Sequence, residues 1–135
     1  MSDSDHDEYA VIRSQTSDLV LDASDYEVKV ERFTGLPAQR WKLENAYLGT
    51  FFFVNQSNGK VLDIQGSLES GHNLITFPNF GGANQQWYVN SDNTIVSIKG
   101  NLALDISGGN QQPGTNVIAW EKHGGDNQKF RIEYQ

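Results

Sequence analysis

The chain has 135 residues and a mass of 15.1 kDa, which suits one domain with a hydrophobic core rather than a pair of domains. Its formal net charge is −7, and an acidic chain without a basic patch is poorly suited to bind nucleic acid or an anionic membrane. It contains no cysteine, which excludes a disulfide framework and catalysis by a thiol.

The first eight residues, MSDSDHDE, are polar and acidic. Because such a segment has almost no apolar surface to offset its ordering entropy, we expect residues 1–8 to form a disordered tail. They contain no apolar stretch typical of a signal peptide, and no later stretch is long enough to cross a bilayer. Together with the lack of cysteine, this pattern favours a cytoplasmic location.

From Tyr9 onward the apolar residues occur in short runs of strand length, without a sustained helical period. Residues with turn-forming side chains, mainly Gly, Asn, Ser and Asp, separate these runs. The first four runs cover 9–12, 19–21, 28–30 and 41–43. The pattern predicts an all-β domain that spans residues 9–135.

A repeated motif divides this domain into three parts. Leu-Asp occurs at Asp22, Asp63 and Asp105, at intervals of 41 and 42 residues, and each copy is followed by Gln-x-aromatic. Periods of this length indicate repeated supersecondary units that bury their apolar faces together. We expect three units of about four strands each, with approximate bounds 9–47, 48–90 and 91–135. A closed barrel would leave no exposed strand edge.

Three copies of Leu-Asp followed by Gln-x-aromatic resemble the ricin B-chain-like, or R-type, lectins, and in particular their small stand-alone fungal members. The resemblance covers nearly everything after Tyr9. It implies a β-trefoil with pseudo-threefold symmetry and a non-catalytic lectin for glycans that end in galactose or N-acetylgalactosamine, on glycoproteins or glycolipids. It also implies no cofactor or metal, agglutination through two sites or a homodimer, and, by analogy with fungal relatives, a role in defence.

The third repeat carries the most complete set of candidate residues. A sugar site needs a flat apolar wall beside fixed polar groups, since one face of galactose presents C–H bonds and its vicinal hydroxyls donate and accept hydrogen bonds. By resemblance, Asp105 would accept bonds from hydroxyls, Asn127 would add an amide, Trp120 would stack, His123 would be a second wall or donor, and Gln128 would chiefly brace the turn. Three other interpretations stay open: a turn cap for Asp105, a core position for Trp120 and a simple turn residue for His123.

The second repeat predicts a similar site. Its polar set is Asp63, Asn84 and Gln85, and setting Gln85 on Gln128 aligns Phe77 with Trp120 and Phe80 with His123. The pair Pro78 and Phe80 could change the shape of this pocket. We therefore expect a second carbohydrate site whose walls are two phenylalanines.

The first repeat departs from the pattern. The same alignment places Ala38 where the amide should be and Glu31 where the ring should be, and the loop between Asp22 and Gln39 is shorter. We expect this lobe to have lost part of the loop that shapes a pocket and to bind no sugar. The aromatic ends of the motifs are expected in the core: Trp41, Trp87 and Phe130.

A second class of function stays open at this stage. Some trefoils are protease inhibitors or partner-binding domains that act through surface loops, and here loops 65–73 and 108–115 could do so without any working sugar site. An enzyme finds less support, because the sequence has no signature of a Ser-His-Asp set and no metal-ligand spacing. A glycosidase pair of Asp105 and Glu121 is not required, since the repeat already explains Asp105.

Overall fold

A computed structural model describes residues 8–135, so that the predicted disordered tail lies outside the described residues except for Glu8. The described chain forms twelve strands: β1 Tyr9–Ser14, β2 Val20–Asp22, β3 Lys29–Glu31, β4 Trp41–Asn45, β5 Phe51–Asn55, β6 Val61–Ile64, β7 Leu74–Phe77, β8 Trp87–Val89, β9 Ile95–Ser97, β10 Leu102–Ile106, β11 Thr115–Glu121 and β12 Phe130–Tyr134. Short 3-10 turns interrupt them at Pro37–Gln39, Tyr47–Gly49, Ala83–Gln85, Ser107–Gly109 and Asp126–Gln128. Within residues 8–135, none of the helical segments has the length and apolar character to traverse a bilayer.

Six strands make the barrel. Antiparallel pairing runs from β12 through β1, β4, β5 and β8 to β9. The backbone N–H of Phe130 donates to the carbonyl of Asn93 at 2.8 Å and brings β12 back beside the turn before β9. Strand edges are thereby covered by neighbours, as the closed arrangement predicts.

The other six strands form three hairpins, β2–β3, β6–β7 and β10–β11, which cap one end of the barrel. Consecutive hairpins touch one another: Val30 pairs with Thr115, Glu27 bridges Ile75, and Asn73 bridges Ile118. Each third of the chain therefore supplies four strands around a pseudo-threefold axis. The all-β prediction and the β-trefoil prediction are both confirmed.

The aromatic ends of the three motifs lie in the core, as predicted. Trp41 and Trp87 are completely buried, and Phe130 is buried beside them. The indole N–H of Trp41 donates to the carbonyl of Leu21 at 3.3 Å, and that of Trp87 donates to the carbonyl of Leu62 at 3.3 Å. Each indole thus binds the backbone just before the Leu-Asp carboxylate and fixes that carboxylate relative to the core.

Candidate functional site

Asp105 is the centre of the third-lobe site. It lies on β10 and is only 3% exposed. Its Oδ1 accepts a hydrogen bond from Asn127 Nδ2 at 3.0 Å, and its Oδ2 accepts one from Gln128 Nε2 at 2.9 Å. Both donors are side-chain amides, whereas a carboxylate that caps a turn accepts from backbone N–H groups.

Asn127 presents an acceptor to the pocket. Its Nδ2 donates to Asp105 Oδ1 and also to the carbonyl of Ile106 at 3.1 Å. Because an amide nitrogen carries two hydrogens, both donors are then used, and Oδ1 is the polar atom that remains for a ligand. A carboxylate and an amide oxygen side by side suit two neighbouring hydroxyls that donate.

Gln128 is completely buried and braces the site through its hydrogen bonds. Its Oε1 accepts from the backbone N–H groups of His123 and Gly124 at 2.9 and 3.0 Å, while its Nε2 donates to Asp105 and to the carbonyl of Glu121. Gln128 thus braces Asp105 and the turn, as expected, and its place in the carbohydrate site stays a prediction.

The pKa of the Asp105 carboxyl reflects both its burial and its hydrogen bonds. Burial raises the pKa of the Asp105 carboxyl above its ordinary value of 3.8, because desolvation disfavours the charged form. Hydrogen bonds from Gln128 and Asn127 and the nearby His123 ring act in the opposite direction and only partly offset the rise. The same amides that hold the carboxylate thus also favour its ionised form.

The wall of the third pocket is Trp120. Its side chain is 43% exposed on β11, so it is not a core residue. His123 accepts a bond from the Gly125 N–H at Nδ1 and places Nε2 3.6 Å from Asp105 Oδ2, which makes it both a turn residue and part of the pocket. Together with Ser107, Gly108, Ile118, Asp105 and Asn127, these two rings enclose a cavity of about 240 Å³.

The second lobe repeats the polar arrangement closely. Asn84 Nδ2 donates to Asp63 Oδ1 at 2.8 Å and to the carbonyl of Ile64 at 3.2 Å, and Gln85 Nε2 donates to Asp63 Oδ2 at 2.8 Å. Burial raises the pKa of Asp63 as well, against the effect of both amides. Gln85 is completely buried and braces this pocket through its hydrogen bonds, and its place in the carbohydrate site stays a prediction.

The walls of the second pocket are aromatic and exposed. Phe77 is 43% exposed and Phe80 is 61% exposed, and their rings meet edge to face with centroids 6.1 Å apart. The cavity beside them measures about 220 Å³ and is also lined by these residues: Tyr26, Asp63, Gln65, Gly66, Ile75 and Asn84. The Pro78 carbonyl accepts a bond from Gln85 Nε2, as the Glu121 carbonyl does from Gln128 Nε2 in the third lobe.

The first lobe keeps a cavity but not the site chemistry. Asp22 lines a cavity of about 420 Å³, and the expectation that this lobe binds no sugar stays a prediction. Asp22 Oδ2 accepts from Gln39 Nε2 at 2.9 Å, while its Oδ1 accepts from the Ser24 N–H at 2.7 Å and caps a turn. Glu31 stands where Trp120 does in the third lobe, and among residues 8–135 no aromatic side chain lines the cavity.

Several pocket residues were missed by sequence reasoning. Ser107, Gly108 and Ile118 line the third cavity, and the position of the first two directly after Leu-Asp-Ile was a usable signal. Tyr26 lines the second cavity although it belongs to the first lobe, and no local pattern marks it. Within residues 8–135, no group of three or more His, Asp or Glu side chains is arranged to hold a metal ion.

Two family models match the chain. The model for the ricin-type β-trefoil lectin domain matches residues 49–135, and the model for a ricin-type β-trefoil lectin domain-like family matches residues 2–77. No curated protein matches the chain.

Solved structures agree with this result. The designed threefold-symmetric protein ThreeFoil is 30% identical, with a TM-score of 0.88 and coverage of 94% of this chain and 99% of that chain. An exo-β-1,3-galactanase from Clostridium thermocellum is 25% identical with a TM-score of 0.87, and the match covers 95% of this chain but 30% of the galactanase. The C-terminal half of an earthworm R-type lectin, solved with GalNAc, is 24% identical with a TM-score of 0.76, over 95% of this chain and 99% of that chain, and shares the fold.

Proposed function

The chain belongs to the ricin-type β-trefoil lectin domain family, and we propose that it binds glycans ending in galactose or N-acetylgalactosamine through its second and third lobes. Domains of this family are generally non-catalytic carbohydrate-binding modules. We propose that this chain likewise binds its glycan without altering it. The partners would be glycoproteins or glycolipids that display such sugars.

The observation that carries the proposal is a buried carboxylate presented beside an exposed ring, twice in one chain. Asp105 and Asp63 are each held by two amides, and each lies in a cavity walled by an exposed aromatic side chain. A packed core would bury the rings, and a simple turn would bond the carboxylates to backbone N–H groups. Exposed rings with oriented acceptors match the apolar face and the vicinal hydroxyls of a galactose-type sugar.

Similar proteins support the choice of sugar. The earthworm lectin was solved with GalNAc, and a ricin B-like lectin from Macrolepiota procera was solved with lactose. Both share this fold, and each of these ligands contains galactose or its N-acetylated amino derivative. Galactose and N-acetylgalactosamine are therefore the first sugars to test on this chain.

The test is binding of the purified protein to a glycan array, with free lactose as competitor. We expect binding to glycans with terminal galactose or N-acetylgalactosamine, and we expect lactose to abolish it. Lactose would have no effect on a trefoil that acts as a protease inhibitor through its loops. Binding that persists unchanged in excess lactose would contradict the proposal.

Substitutions assign the third pocket. In protein whose second pocket is disabled by Asp63→Ala, we expect Asp105→Ala and Asn127→Ala each to remove lactose binding. Asp126→Ala is the matched control, since Asp126 is exposed in the same 3-10 turn and should leave binding unchanged. The fold should survive Asp105→Ala because Gln128 and Asn127 keep the carbonyls of Glu121 and Ile106 as acceptors.

A further inference from the structure

One residue of the first lobe faces the pocket of the second. Tyr26 lies in the segment between β2 and β3, and its side chain lines the cavity that contains Asp63, Phe77, Phe80 and Asn84. It is 56% exposed, so its ring is not part of the core. The second pocket therefore has three aromatic rings, of which one comes from another lobe.

The backbone around Tyr26 is fixed to the second lobe. Glu27 bridges Ile75, and the N–H of Val28 donates to the carbonyl of Leu74 at 2.8 Å. Asn73 Nδ2 also donates to Glu27 Oε2 at 3.0 Å. These contacts hold the residue next to Tyr26 against β7, which carries Phe77, so the position of Tyr26 beside the pocket is set by the fold.

The third pocket has no such contribution. Glu27 and Asn73 are equivalent, since each bridges the next lobe, at Ile75 and Ile118 respectively, and the residue equivalent to Tyr26 is therefore His72. The His72 ring turns back into its own lobe, where Nδ1 lies 2.7 Å from the carbonyl of Gln65. All seven residues that line the third cavity belong to the third lobe.

We propose that Tyr26 is a specificity-determining residue of the second pocket and contacts the sugar that follows the terminal galactose. This inference rests on the proposed function. Phe77 and Phe80 occupy the positions of Trp120 and His123, so the wall for a terminal sugar is complete without Tyr26. The additional ring adds an apolar surface with a hydroxyl at its edge, which suits a second sugar unit. The second pocket then prefers a disaccharide, whereas the third pocket recognises the terminal unit.

Lactose and methyl β-galactoside test this, because both carry a terminal galactose and only lactose has a second ring. Binding is measured by calorimetry in an Asp105→Ala background, where the third pocket is disabled. We expect Tyr26→Ala to weaken lactose binding about fivefold to tenfold and to leave methyl β-galactoside within about twofold. Tyr26→Phe should retain most of the lactose affinity, and Tyr134→Ala, at another exposed tyrosine, should change neither sugar.

Three results would overturn the proposal. Unchanged lactose binding in the Tyr26→Ala protein would remove Tyr26 from the pocket, and equal weakening of both sugars would place it against the terminal galactose instead. A complete lack of sugar binding by the Asp105→Ala protein would overturn the second-pocket function, and this inference with it. A control measurement uses the third pocket alone. In an Asp63→Ala background, Tyr26→Ala should leave lactose binding at the third pocket unchanged.

Discussion

Three tryptophans of this chain separate into two structural classes. Trp41 and Trp87 are completely buried and donate their indole N–H groups to the backbone, whereas Trp120 is 43% exposed on the wall of a cavity. A buried ring contributes to folding through packing, and an exposed ring contributes mainly when a ligand covers it. The same residue type thus has different roles, and accessibility decides between them.

Substitution of Trp120 tests this division. We expect Trp120→Ala to weaken sugar binding at the third pocket by about 1 to 3 kcal/mol, with little change in the free energy of unfolding. Trp87→Ala is the comparison and should destabilise the fold by about 3 to 5 kcal/mol, because it leaves a cavity in the core. Calorimetry with lactose and urea denaturation measure the two quantities. A Trp120→Ala protein that unfolds readily would show that this ring supports the fold.

Ionisation of Asp105 and Asp63 should make sugar binding sensitive to acid. Their pKa values are raised by burial above 3.8, so these carboxylates become protonated at a higher pH than an exposed aspartate does. A protonated carboxyl presents fewer acceptors to hydroxyls. We therefore expect lactose affinity to fall as the pH drops through these raised values.

The contribution of Asp105 and Asp63 to stability should respond to pH in the opposite sense. A carboxyl whose pKa is higher in the folded state contributes stability below its unfolded pKa and loses it as the pH rises through the folded pKa. The pKa values of Asp92 and Glu133 are lowered, chiefly by hydrogen bonds from Thr94 and Arg13 respectively. Their contribution to stability is therefore present above their unfolded pKa values and is lost only as the pH falls through the lower folded values. Binding should thus disappear at a higher pH than the folded structure does. Parallel titrations by calorimetry and circular dichroism check this, and coincident transitions would contradict it.

At the scale of elements, the 3-10 turns that end in Gln connect the barrel to the pockets. Gln39, Gln85 and Gln128 are completely buried or nearly so, and each accepts from two backbone N–H groups while donating to the Leu-Asp carboxylate of its lobe. One side chain therefore fixes both the turn and the carboxylate. The same structural role is present in the first lobe, where Gln39 holds Asp22 and the backbone N–H groups of Thr34 and Gly35.

Removal of one such glutamine should damage both fold and site. Gln128→Ala leaves the N–H groups of His123 and Gly124 without their acceptor, and each buried unsatisfied group costs about 1 to 3 kcal/mol. We expect a loss of about 2 to 4 kcal/mol in unfolding free energy, together with loss of lactose binding at the third pocket. Gln112→Ala, at an exposed position, should change stability by less than about 0.5 kcal/mol. An unaltered denaturation midpoint for Gln128→Ala would contradict the bracing role.

The repeat allowed the sequence to predict most of the fold and the polar part of each site. The interval between Asp63 and Asp105 indicates the symmetry, and the fixed spacing of Asn127 and Gln128 keeps both amides on one turn. Contacts between lobes were not predictable in the same way. Tyr26 reaches the second pocket through pairing between distant segments, which leaves no periodic signal in the sequence.

The cavity of the first lobe shows the same limit. The short spacing between Asp22 and Gln39 indicates that part of the pocket-shaping loop is lost, and the cavity that the lobe keeps is also bounded by Pro113 of the third lobe. Lobe packing therefore creates space that one repeat alone does not reveal.

At the scale of the whole molecule, the three lobes join through equivalent residues at the pseudo-threefold axis. Asn116 Nδ2 donates to Glu27 Oε1 and to Asn73 Oδ1, both at 3.1 Å, and Asn73 Nδ2 donates to Glu27 Oε2 at 3.0 Å. The cluster has one member from each lobe. It fixes the positions of the three cavities relative to one another.

Two pockets per chain predict crosslinking. Weak single sites gain avidity when two of them bind to one surface, without any new contact. We expect the protein to agglutinate cells that display terminal galactose, and we expect either Asp63→Ala or Asp105→Ala to raise the protein concentration that agglutination requires. Asp126→Ala should leave the titre unchanged. Full agglutination by the Asp63→Ala, Asp105→Ala double variant would show that crosslinking uses another surface.

A crystal structure of the protein soaked with galactose measures the central claim most directly. We predict one sugar beside Asp105 and Asn127 with its apolar face on Trp120, and a second beside Asp63 and Asn84 against the phenylalanine pair. The first-lobe cavity should stay without sugar. Galactose at neither carboxylate, in crystals whose pockets are open to solvent, would contradict the account.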